Sequence, residues 1–568
     1  MSIEPADQKE REEEPGRRVD RHGGHGAGYA ILVALGIFLS RVAGLIRQRV
    51  FAHYFGKSMA AGIFQAGLRI PNFLQNLFGE GVLSAAFIPV YSRLLAEGDE
   101  ETAGRVAGAV AALLALIISV IVLIAVLTTP WIVNLIVPGF EGVARDLTIR
   151  VVRILFPGVG LLVLSAWCLG VLNSHRKFFL SYVAPVLWNA AMITTMIALG
   201  GALRQADLAV ALAWGTVVGS GLQFGVQLPF VFRYAPKLHF RLDTLLRPVR
   251  TVIRNTGPVI LSRGVVQISA YVDQVIASYL QNGPGAVAIL GYAQTLYLLP
   301  ISLFGMSVAA AELPQMSSAV GTPEEVAEAL RRRLSAGVRQ IAFFVIPTVV
   351  GFLLVGRALV AALYQTGHFG GADSVYVWYV LAGSTIGLLA VTRGRLYNSA
   401  FYALHDTKTP LWFAMIRVTL TALLGFLFAF PLRPVVAWVI VTLLHLPAPR
   451  AVDAAMVFGT AGLTASAGMS GWLEYLLLRR AMQRRIGRVT VALKYHLKLW
   501  GSALIAGAAS LAAYVTVMPR LSAVLPSNLA PVAAGAAVLA VFAVIYLPGT
   551  WLLGVEESSR LVKRLRRG

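Results

Sequence analysis

Long apolar runs recur along the whole of this 568-residue chain and constrain its fold more than any other feature. From Gly28 to Gly554 each run reaches about 18 to 25 residues, the length that an α-helix needs to cross a bilayer. Hydrophobic residues make up 57% of the chain, charged residues make up 13%, and the mean hydropathy is +0.71. A soluble chain carries about twice that share of charged residues. The sequence therefore predicts an all-α integral membrane protein and excludes a soluble enzyme.

Counting each long apolar stretch as one span predicts about 14 transmembrane helices. We predict an N-terminal lobe of six helices over 28–232, a C-terminal lobe of six over 251–480 and two C-terminal helices within 497–553. The remaining segments are a disordered cytosolic tail over 1–27, a basic cytosolic linker over 233–250 and a basic cytosolic tail over 554–568. Residues 433–448 form a further apolar stretch that is short for a span, so we expect it on the outer surface.

The excess of positive charge is best explained by the orientation of the chain in the membrane. The formal net charge is +22, from 49 Lys and Arg against 27 Asp and Glu. In a soluble protein this excess would suggest nucleic acid. Here the basic residues lie mainly between the apolar runs, so the positive-inside rule predicts cytosolic termini and no nucleic-acid partner. The basic segments would lie beside anionic membrane lipids.

An internal repeat relates the first two spans to spans seven and eight. The matched elements are Ser40-Arg41 with Ser262-Arg263, Pro71 with Pro300 and Pro89 with Pro314. Six spans separate the copies, which predicts two pseudo-symmetric lobes with a cavity between them, an architecture typical of transporters. Chance similarity between apolar helices is the alternative.

Ionisable residues inside the predicted spans are candidates for this cavity, because such groups are costly in a bilayer and normally face a cavity or one another. We expect Arg41 and Arg263, equivalent in the repeat, to line it. Guanidinium groups grip phosphate bidentately and stay charged when desolvated, so they suit a diphosphate. Snorkelling to the interface is the alternative for Arg47. Asp273 is either a cation or proton site or an ion-pair partner.

No catalytic or cofactor signature accompanies these charges. The sequence has no metal-spaced histidine set, no phosphate-binding glycine loop and no nucleotide domain. Cys168 is the single cysteine, so a disulfide within the chain and a cysteine metal cluster are excluded. We therefore predict no catalytic residues, no metal site and no cofactor.

At several motifs the chain resembles the MurJ (MviN) family of lipid II flippases, within the multidrug/oligosaccharidyl-lipid/polysaccharide exporter superfamily. The resemblance covers about residues 28 to 553 and is carried by Ser40-Arg41 through Arg47, Phe55-Gly56, Arg69-Ile70-Pro71-Asn72, Phe78-Gly79-Glu80-Gly81, Ser84 to Pro89 and Ala400 to Pro410. It implies an alternating-access flippase that moves the undecaprenyl-diphosphate-linked peptidoglycan precursor lipid II to the outer leaflet of a bacterial cytoplasmic membrane. Cell-wall synthesis proteins would be partners, and the last two helices would form a groove for the lipid tail.

The candidate substrate-binding residues combine the cavity arginines with the retained motif. They are Ser40, Arg41, Arg47, Arg69, Asn72, Glu80 and Arg263. Local capping or pairing is the alternative for Glu80.

This chain departs from the family pattern at several charged positions. Gln48, Gly62 and Gln75 replace an aspartate, an aspartate and an arginine, and Gln294, Thr295 and Leu298 replace charged residues of the eighth span. Asp273 falls where some relatives carry an acidic residue associated with sodium. The eleventh span, 410–431, has no Asn, Asp or Glu to complete such a site, which argues against sodium and leaves membrane potential or a proton.

Other functions remain open on the sequence. A flippase for another polyprenyl-diphosphate-linked glycan and a transport-dead paralogue both fit the lost charges. A drug exporter fits the superfamily but not the motif from Ser40 to Pro89. An integral-membrane glycosyltransferase would show acidic residues in a large outer loop, whereas residues 432–451 contain neither Asp nor Glu.

Overall fold

The computed structural model describes residues 23–318 and 321–565. Residues 1–22 of the predicted N-terminal tail lie outside them, and the first helix begins at Gly23. In the described part of the chain the secondary structure is helical, apart from one isolated bridge between Thr366 and Phe369. The prediction of an all-α fold is confirmed.

The first half of the chain contains nine helices. They are α1 (Gly23–Phe55), α2 (Met59–Phe78), α3 (Glu80–Ala86), α4 (Ile88–Ala96), α5 (Glu100–Leu127), α6 (Thr129–Ile136), α7 (Gly142–Ser174), α8 (Phe178–Leu199) and α9 (Gln205–Tyr234).

The second half contains the remaining described helices and two π-helical turns. They are α10 (Arg247–Ser278), α11 (Gly283–Pro300), a π turn (Ile301–Met306), α12 (Ser307–Ser317), α13 (Pro323–Leu354), α14 (Gly356–Tyr364), α15 (Gly371–Thr385), α16 (Leu388–Ala403), α17 (Lys408–Ala429), α18 (Arg433–Trp438), a π turn (Val439–Leu443), α19 (Ala451–Ile486), α20 (Leu493–Val524), α21 (Ala530–Leu552) and α22 (Glu556–Leu565).

Fewer helices than the 14 predicted spans are both long enough and apolar enough to be counted as membrane-spanning on these two criteria. Among the described residues, ten helical stretches are long and apolar enough to cross a membrane, or eleven if α15 and α16, which meet at a 43° bend, form one span. Three further helices, α1, α10 and α19, have 33, 32 and 36 residues and coincide with the other predicted spans. The chain is a multi-pass membrane protein, and the count of 14 stays a prediction. The apolar stretch after residue 432 forms only the short helical segment Arg433–Leu443.

Each half packs around one central helix. In the first half α7 packs against α9, α2 and α5, and α1 packs against α8. In the second half α19 packs against α17, α15 and α16. The last two spans, α20 and α21, pack on each other and lie against α13 and α14. Helices in a membrane associate through close packing rather than through exclusion of water. Accordingly, the α16 side of the bend at Gly387 meets α19 at Gly468, where a Cβ atom would lie 2.8 Å from the Gly387 nitrogen.

Helix α10 crosses from one half to the other. Its first turns are buried in a hydrophobic cluster of the first half, where Val249 and Val252 accompany Trp167 and Val171. Its later part packs against α17 and α11 of the second half. The loop before α10 is also tied to the first half, since Arg105 and Asp243 form an ion pair of 3.0 Å. The segment predicted as a linker and the start of the predicted C-terminal lobe therefore lie on the first half.

The prolines matched in the internal repeat lie at irregular points of two corresponding spans. In the first copy, Pro71 lies inside α2 and Pro89 follows the break between α3 and α4 at Phe87. In the second, Pro300 ends α11 where the π turn begins, and Pro314 lies inside α12. Proline removes a backbone hydrogen bond from a helix, which explains why these spans bend or break.

Candidate functional site

The two halves meet tightly at one end of the molecule, which we call the closed end. There Lys57 Nζ lies 2.8 Å from Asp453 Oδ1 and 5.7 Å from the centre of the Tyr376 ring. Close by, Gly62 of α2 touches the backbone of Pro284 so closely that a Cβ atom would overlap it. Any larger residue at position 62 would push the halves apart, so the glycine is required for the contact.

Hydrogen bonds to backbone carbonyls also close this end. The Tyr292 hydroxyl donates to the carbonyl of Gly56 at 2.8 Å, and the amide of His368 donates to the carbonyl of His53 at 2.9 Å. One hydrophobic cluster continues through the contact, with the Phe51 and Tyr292 rings 6.1 Å apart. These contacts join the end of α1 to α11 and to the loop before α15.

Away from the closed end, α1 borders open space. Ser40 is half-buried and Arg41 is exposed. A Cβ atom built on Gly44 would meet nothing within 4 Å beyond its own helix backbone. The face of α1 at Gly44 is therefore not covered by a neighbouring helix. We call the side of the molecule opposite the closed end the open end.

Arg47 lies deeper along α1 and faces α8. Its guanidinium carbon stands 4.9 Å from the centre of the Trp188 ring, and Nη1 lies 3.7 Å from the sulfur of Met192. A cation over an indole face is stabilised without its charge being neutralised. In the described part of the chain no carboxylate pairs with Arg47. Its charge is therefore held in place without a described carboxylate partner.

Arg69 of α2 joins the first half to α10. Its Nη1 donates to Gln274 Oε1 at 3.2 Å, and its carbonyl accepts a hydrogen bond of 2.9 Å from the Tyr271 hydroxyl. Because both partners come from α10, Arg69 links α2 to α10.

Asp273 lies between positive charges from both halves. It interacts electrostatically with Arg69 of α2 and with Arg417 of α17. Arg417 in turn forms an ion pair of 3.0 Å with Glu474 of α19. One Asp273 oxygen, Oδ1, is buried without a hydrogen-bond partner among the described residues. The arrangement places an acidic group beside two guanidinium groups at the junction of the halves.

The structure describes fewer contacts for the other predicted site residues. Asn72 is half-buried on α2, one turn beyond Arg69. Glu80 begins α3 and Arg263 lies on α10, but their side chains are outside those that the structure describes. The structure thus brings Arg69 and Asp273 to the contact between the halves, holds Arg47 against α8 of the first half and leaves Arg41 on the exposed part of α1.

Sequence reasoning missed two groups that shape this site. Arg49 donates to the carbonyls of Ala362 and Asn528, at 2.7 Å each, and so ties α1 to the end of α14 and to the loop between α20 and α21. The pairing of Arg417 with Glu474 was the other omission. Arg49, Arg417 and Glu474 are charged residues inside apolar spans, and this pattern alone indicates that each needs a partner. Sequence spacing does not show which charged residues on different helices contact each other.

The family model described as lipid II flippase MurJ matches residues 51–439. The chain belongs to this family. A lipid II flippase MurJ from Burkholderia cenocepacia is 29% identical over 539 residues, which cover 93% of this chain and 98% of that protein. A probable lipid II flippase MurJ from Vibrio cholerae is 27% identical over 465 residues, 80% of this chain and 82% of that protein.

Solved structures support the same fold. A lipid II flippase MurJ in an inward closed conformation aligns with a TM-score of 0.67 and 22% identity, over 91% of this chain and 99% of that one. An inward-facing multidrug resistance MATE family transporter of the MOP superfamily aligns with a TM-score of 0.59 and 16% identity, over 80% and 99%. At these identities the likeness concerns the fold alone.

In this MurJ-family chain, two neutral side chains contact each other between the halves. Gln48 Nε2 of α1 donates to Thr295 Oγ1 of α11 at 3.3 Å. This bond links the first half to the second without charges.

Proposed function

We propose that this protein is an alternating-access flippase that carries lipid II from the cytosolic to the outer leaflet of a bacterial cytoplasmic membrane. The chain is a transporter rather than an enzyme, because it belongs to a family of flippases. The curated relatives reported above carry the name lipid II flippase. Lipid II joins a polyprenyl chain to a diphosphate, so the site must bind an anion inside a membrane.

The observation that carries the proposal is the pair of arginines on α1, on the side where the substrate cavity between the halves would lie. Arg41 is exposed, Arg47 is held over Trp188 without a described carboxylate partner, and Gly44 leaves the space between them free. Two such guanidinium groups can donate several hydrogen bonds to a diphosphate, and a partly desolvated guanidinium stays charged. Arg263, the repeat equivalent of Arg41, would face the same substrate from the other lobe.

The residues around Arg69 would couple binding to movement. Arg69, Gln274 and Tyr271 connect α2 to α10, the helix that crosses between the halves. In this proposal Asp273 is an ion-pair partner, because Arg69 and Arg417 already place positive charges beside it. A sodium ion is then not needed for neutrality at Asp273. Substrate release would require the contacts of the closed end to separate.

The topology supports a cytosolic position for the open end. The basic loop over 235–246 and the basic segment after α19 both lie on this side, and positive charge accumulates on the cytosolic side of membrane proteins. Both termini would then be cytosolic. Helices α20 and α21 carry exposed apolar side chains such as Ile505 and Val544, consistent with a groove for the polyprenyl tail.

The deciding experiment measures lipid II on the outer leaflet of cells that are depleted of their own flippase and express this chain. A membrane-impermeant toxin that cleaves lipid II is added outside. Restored cleavage and growth are expected. Failure despite correct membrane insertion would favour another polyprenyl-diphosphate glycan or a transport-dead paralogue, provided a relative with proven activity succeeds in the same host.

Variants then locate the site. Arg41→Ala and Arg263→Ala are expected to abolish cleavage at unchanged abundance. Arg93→Ala is the control, because the Arg93 side chain is 80% exposed and pairs with Glu97 within its own helix. If Arg41→Ala and Arg263→Ala are expressed and fully active, the cavity assignment is wrong.

A further inference from the structure

A basic cavity lies at the open end of the second half, outside the site between the halves. It has a volume of about 480 Å³ and is formed by the last turns of α19 and the segment that follows them. Its lining includes Arg479, Arg480, Gln483 and Arg488, with Leu476 on the side toward the span. Three guanidinium groups thus border one pocket at the level where α19 leaves the apolar part of the chain.

The charge of this cavity is not balanced by the protein. Two nearby arginines do have carboxylate partners. Arg485, farther along α19, pairs with Asp406, and Arg417 of α17 pairs at 3.0 Å with Glu474, which precedes the cavity on α19. By contrast, Arg479, Arg480 and Arg488 have no carboxylate within 4.0 Å in the part of the chain that the structure describes. Like charges that gather in one pocket repel one another unless an anion joins them.

A buried cation behind the cavity adds to the imbalance. Arg393 of α16 is only 8% exposed, and its Nη2 lies 2.7 Å from His496 Nε2. Its Nε has no hydrogen-bond partner among the described residues. Arg393 and Arg479 both act electrostatically on His496, so the buried guanidinium and the cavity belong to one positive cluster. A buried guanidinium beside a histidine and further arginines is costly without an anion.

The rim of the cavity is held by fixed contacts. Ser335 of α13 donates to the carbonyl of Thr490 at 3.2 Å, and the Tyr495 hydroxyl donates to the carbonyl of Arg339 at 3.0 Å. Gly487 turns the chain out of α19 with a φ of +83°, a conformation that favours glycine. These contacts fix the segment that carries Arg488 against α13, so the cavity is formed before any ligand binds.

An apolar stripe leads along α19 into the cavity. Met469, Leu473 and Leu476 are 45%, 36% and 41% exposed, and they follow one another at spacings of four and three residues. Residues at these spacings share one helix face, and Arg480 continues it four residues later. A free phosphate ion would gain nothing from this stripe, whereas the acyl chains of a lipid would pack on it.

We propose that this cavity binds the phosphate head group of an anionic phospholipid of the cytosolic leaflet. Arg479, Arg480 and Arg488 would donate to the phosphate oxygens, and the stripe from Met469 to Leu476 would contact an acyl chain. The bound lipid would supply the negative charge that the cluster around Arg393 lacks. This site is separate from the cavity between the halves and does not depend on the identity of the transported substrate.

Native mass spectrometry of the full-length protein in detergent tests the proposal. Phosphatidylglycerol is titrated against the wild-type chain, with phosphatidylcholine and inorganic phosphate as comparison ligands. We expect phosphatidylglycerol to bind more tightly than phosphatidylcholine, and the variant R479Q/R480Q/R488Q to bind it at least about tenfold more weakly, since each basic group near a membrane surface contributes severalfold to affinity.

The control variant is R233Q/R241Q/R247Q, which removes the same charge from exposed positions at the same end of the first half. It should bind phosphatidylglycerol within about twofold of the wild type. An equal loss of phosphatidylglycerol affinity in both triple variants would mean that the lipid is attracted by overall positive charge, and this result would overturn the proposed site. Equal binding of the two lipids would do the same, and full competition by inorganic phosphate would overturn the lipid assignment. The single variant R480Q, at an exposed side chain, provides the same comparison if the triple variant is unstable.

Discussion

The side-chain amide of Gln48 in α1 donates a hydrogen bond of 3.3 Å to the hydroxyl of Thr295 in α11. The Thr295 hydroxyl donates in turn to the carbonyl of Gly291 at 3.0 Å, so its oxygen is oriented to accept from Gln48. This short chain of bonds crosses between the halves beside the contacts of the closed end. Two neutral side chains thus join α1 of the first half to α11 of the second half.

A double-mutant cycle tests whether this bond contributes to stability. We expect Gln48→Ala and Thr295→Ala each to destabilise the protein, with a coupling of about 0.5 to 1.5 kcal/mol, the usual net value of one hydrogen bond. The measurement is thermal unfolding in detergent for both single variants and the double variant. Strictly additive losses would show that the two side chains do not interact.

The ion pair between Lys57 and Asp453 should hold the closed end shut. Their side chains are 26% and 11% exposed, so solvent screens the pair only in part. Lys57→Met is expected to shift the protein toward a state that is open at this end. A charge swap, Lys57→Asp with Asp453→Lys, should restore closure because the attraction is retained.

A cysteine placed at Gln65 reports this shift. Gln65 packs against Gly291 between the halves, and the natural Cys168 is fully buried, so background labelling is low. A membrane-impermeant maleimide added from the outer side should label Gln65→Cys faster in the Lys57→Met background and at the original rate in the charge-swapped protein. Unchanged labelling in all three backgrounds would remove Lys57 from the closing contacts.

The buried pair of Arg417 and Glu474 should matter more for folding than an exposed pair. The Glu474 side chain is 9% exposed and that of Arg417 is 33% exposed. Glu474→Gln leaves the guanidinium without its carboxylate, a loss that costs roughly 3 to 5 kcal/mol for a fully buried pair and less here. We expect lower abundance and a clearly reduced Tm.

The matched control is Glu97→Gln, which breaks the pair with Arg93. Those side chains are 50% and 80% exposed, so the effect on stability should stay within about 0.5 kcal/mol. Both variants remove one carboxylate charge, so the difference between their thermal unfolding temperatures reports the effect of burying the ion pair. A Glu474→Gln protein as stable as the control would mean that Asp273 or solvent already compensates Arg417.

Apolar run lengths predict the helices well, because a span needs a continuous hydrophobic surface and its bounds follow the loss of that surface. They do not predict the path of α10. The basic residues from Arg247 to Arg254 predict a boundary between the two lobes. Val249 and Val252 nevertheless insert into the core of the first half. Which half a helix belongs to depends on long-range packing that its local pattern does not encode.

The candidate site was predictable in residue type but not in geometry. An arginine inside an apolar helix signals a cavity or a partner, and this singled out Arg41, Arg47 and Arg69. The sequence could not show that Trp188 supports Arg47, since the two residues lie on different helices. It also could not show that Arg417 interacts electrostatically with Asp273, since the two residues lie on different helices.

Asp406, in the loop between α16 and α17, should make stability depend on pH in the acidic range. Its carboxylate accepts hydrogen bonds from the Thr409 hydroxyl and the Thr409 amide, and it also pairs with Arg485. These bonds, from Thr409 first, lower the pKa of Asp406 to about 2. An aspartate in an unfolded chain has a pKa of about 3.9, so folding favours the charged form.

The stabilisation from this carboxylate is therefore complete above about pH 5, falls to roughly half near pH 3 and is lost below the folded-state pKa. We expect Asp406→Asn to lower the Tm at pH 6 and the difference from the wild type to narrow as the pH falls to 3. Asp146→Asn, at a side chain that is 78% exposed, provides the control and should show a smaller difference throughout. A Tm difference for Asp406→Asn that stays constant from pH 6 to pH 3 would show that shape, rather than charge, explains the effect of Asp406.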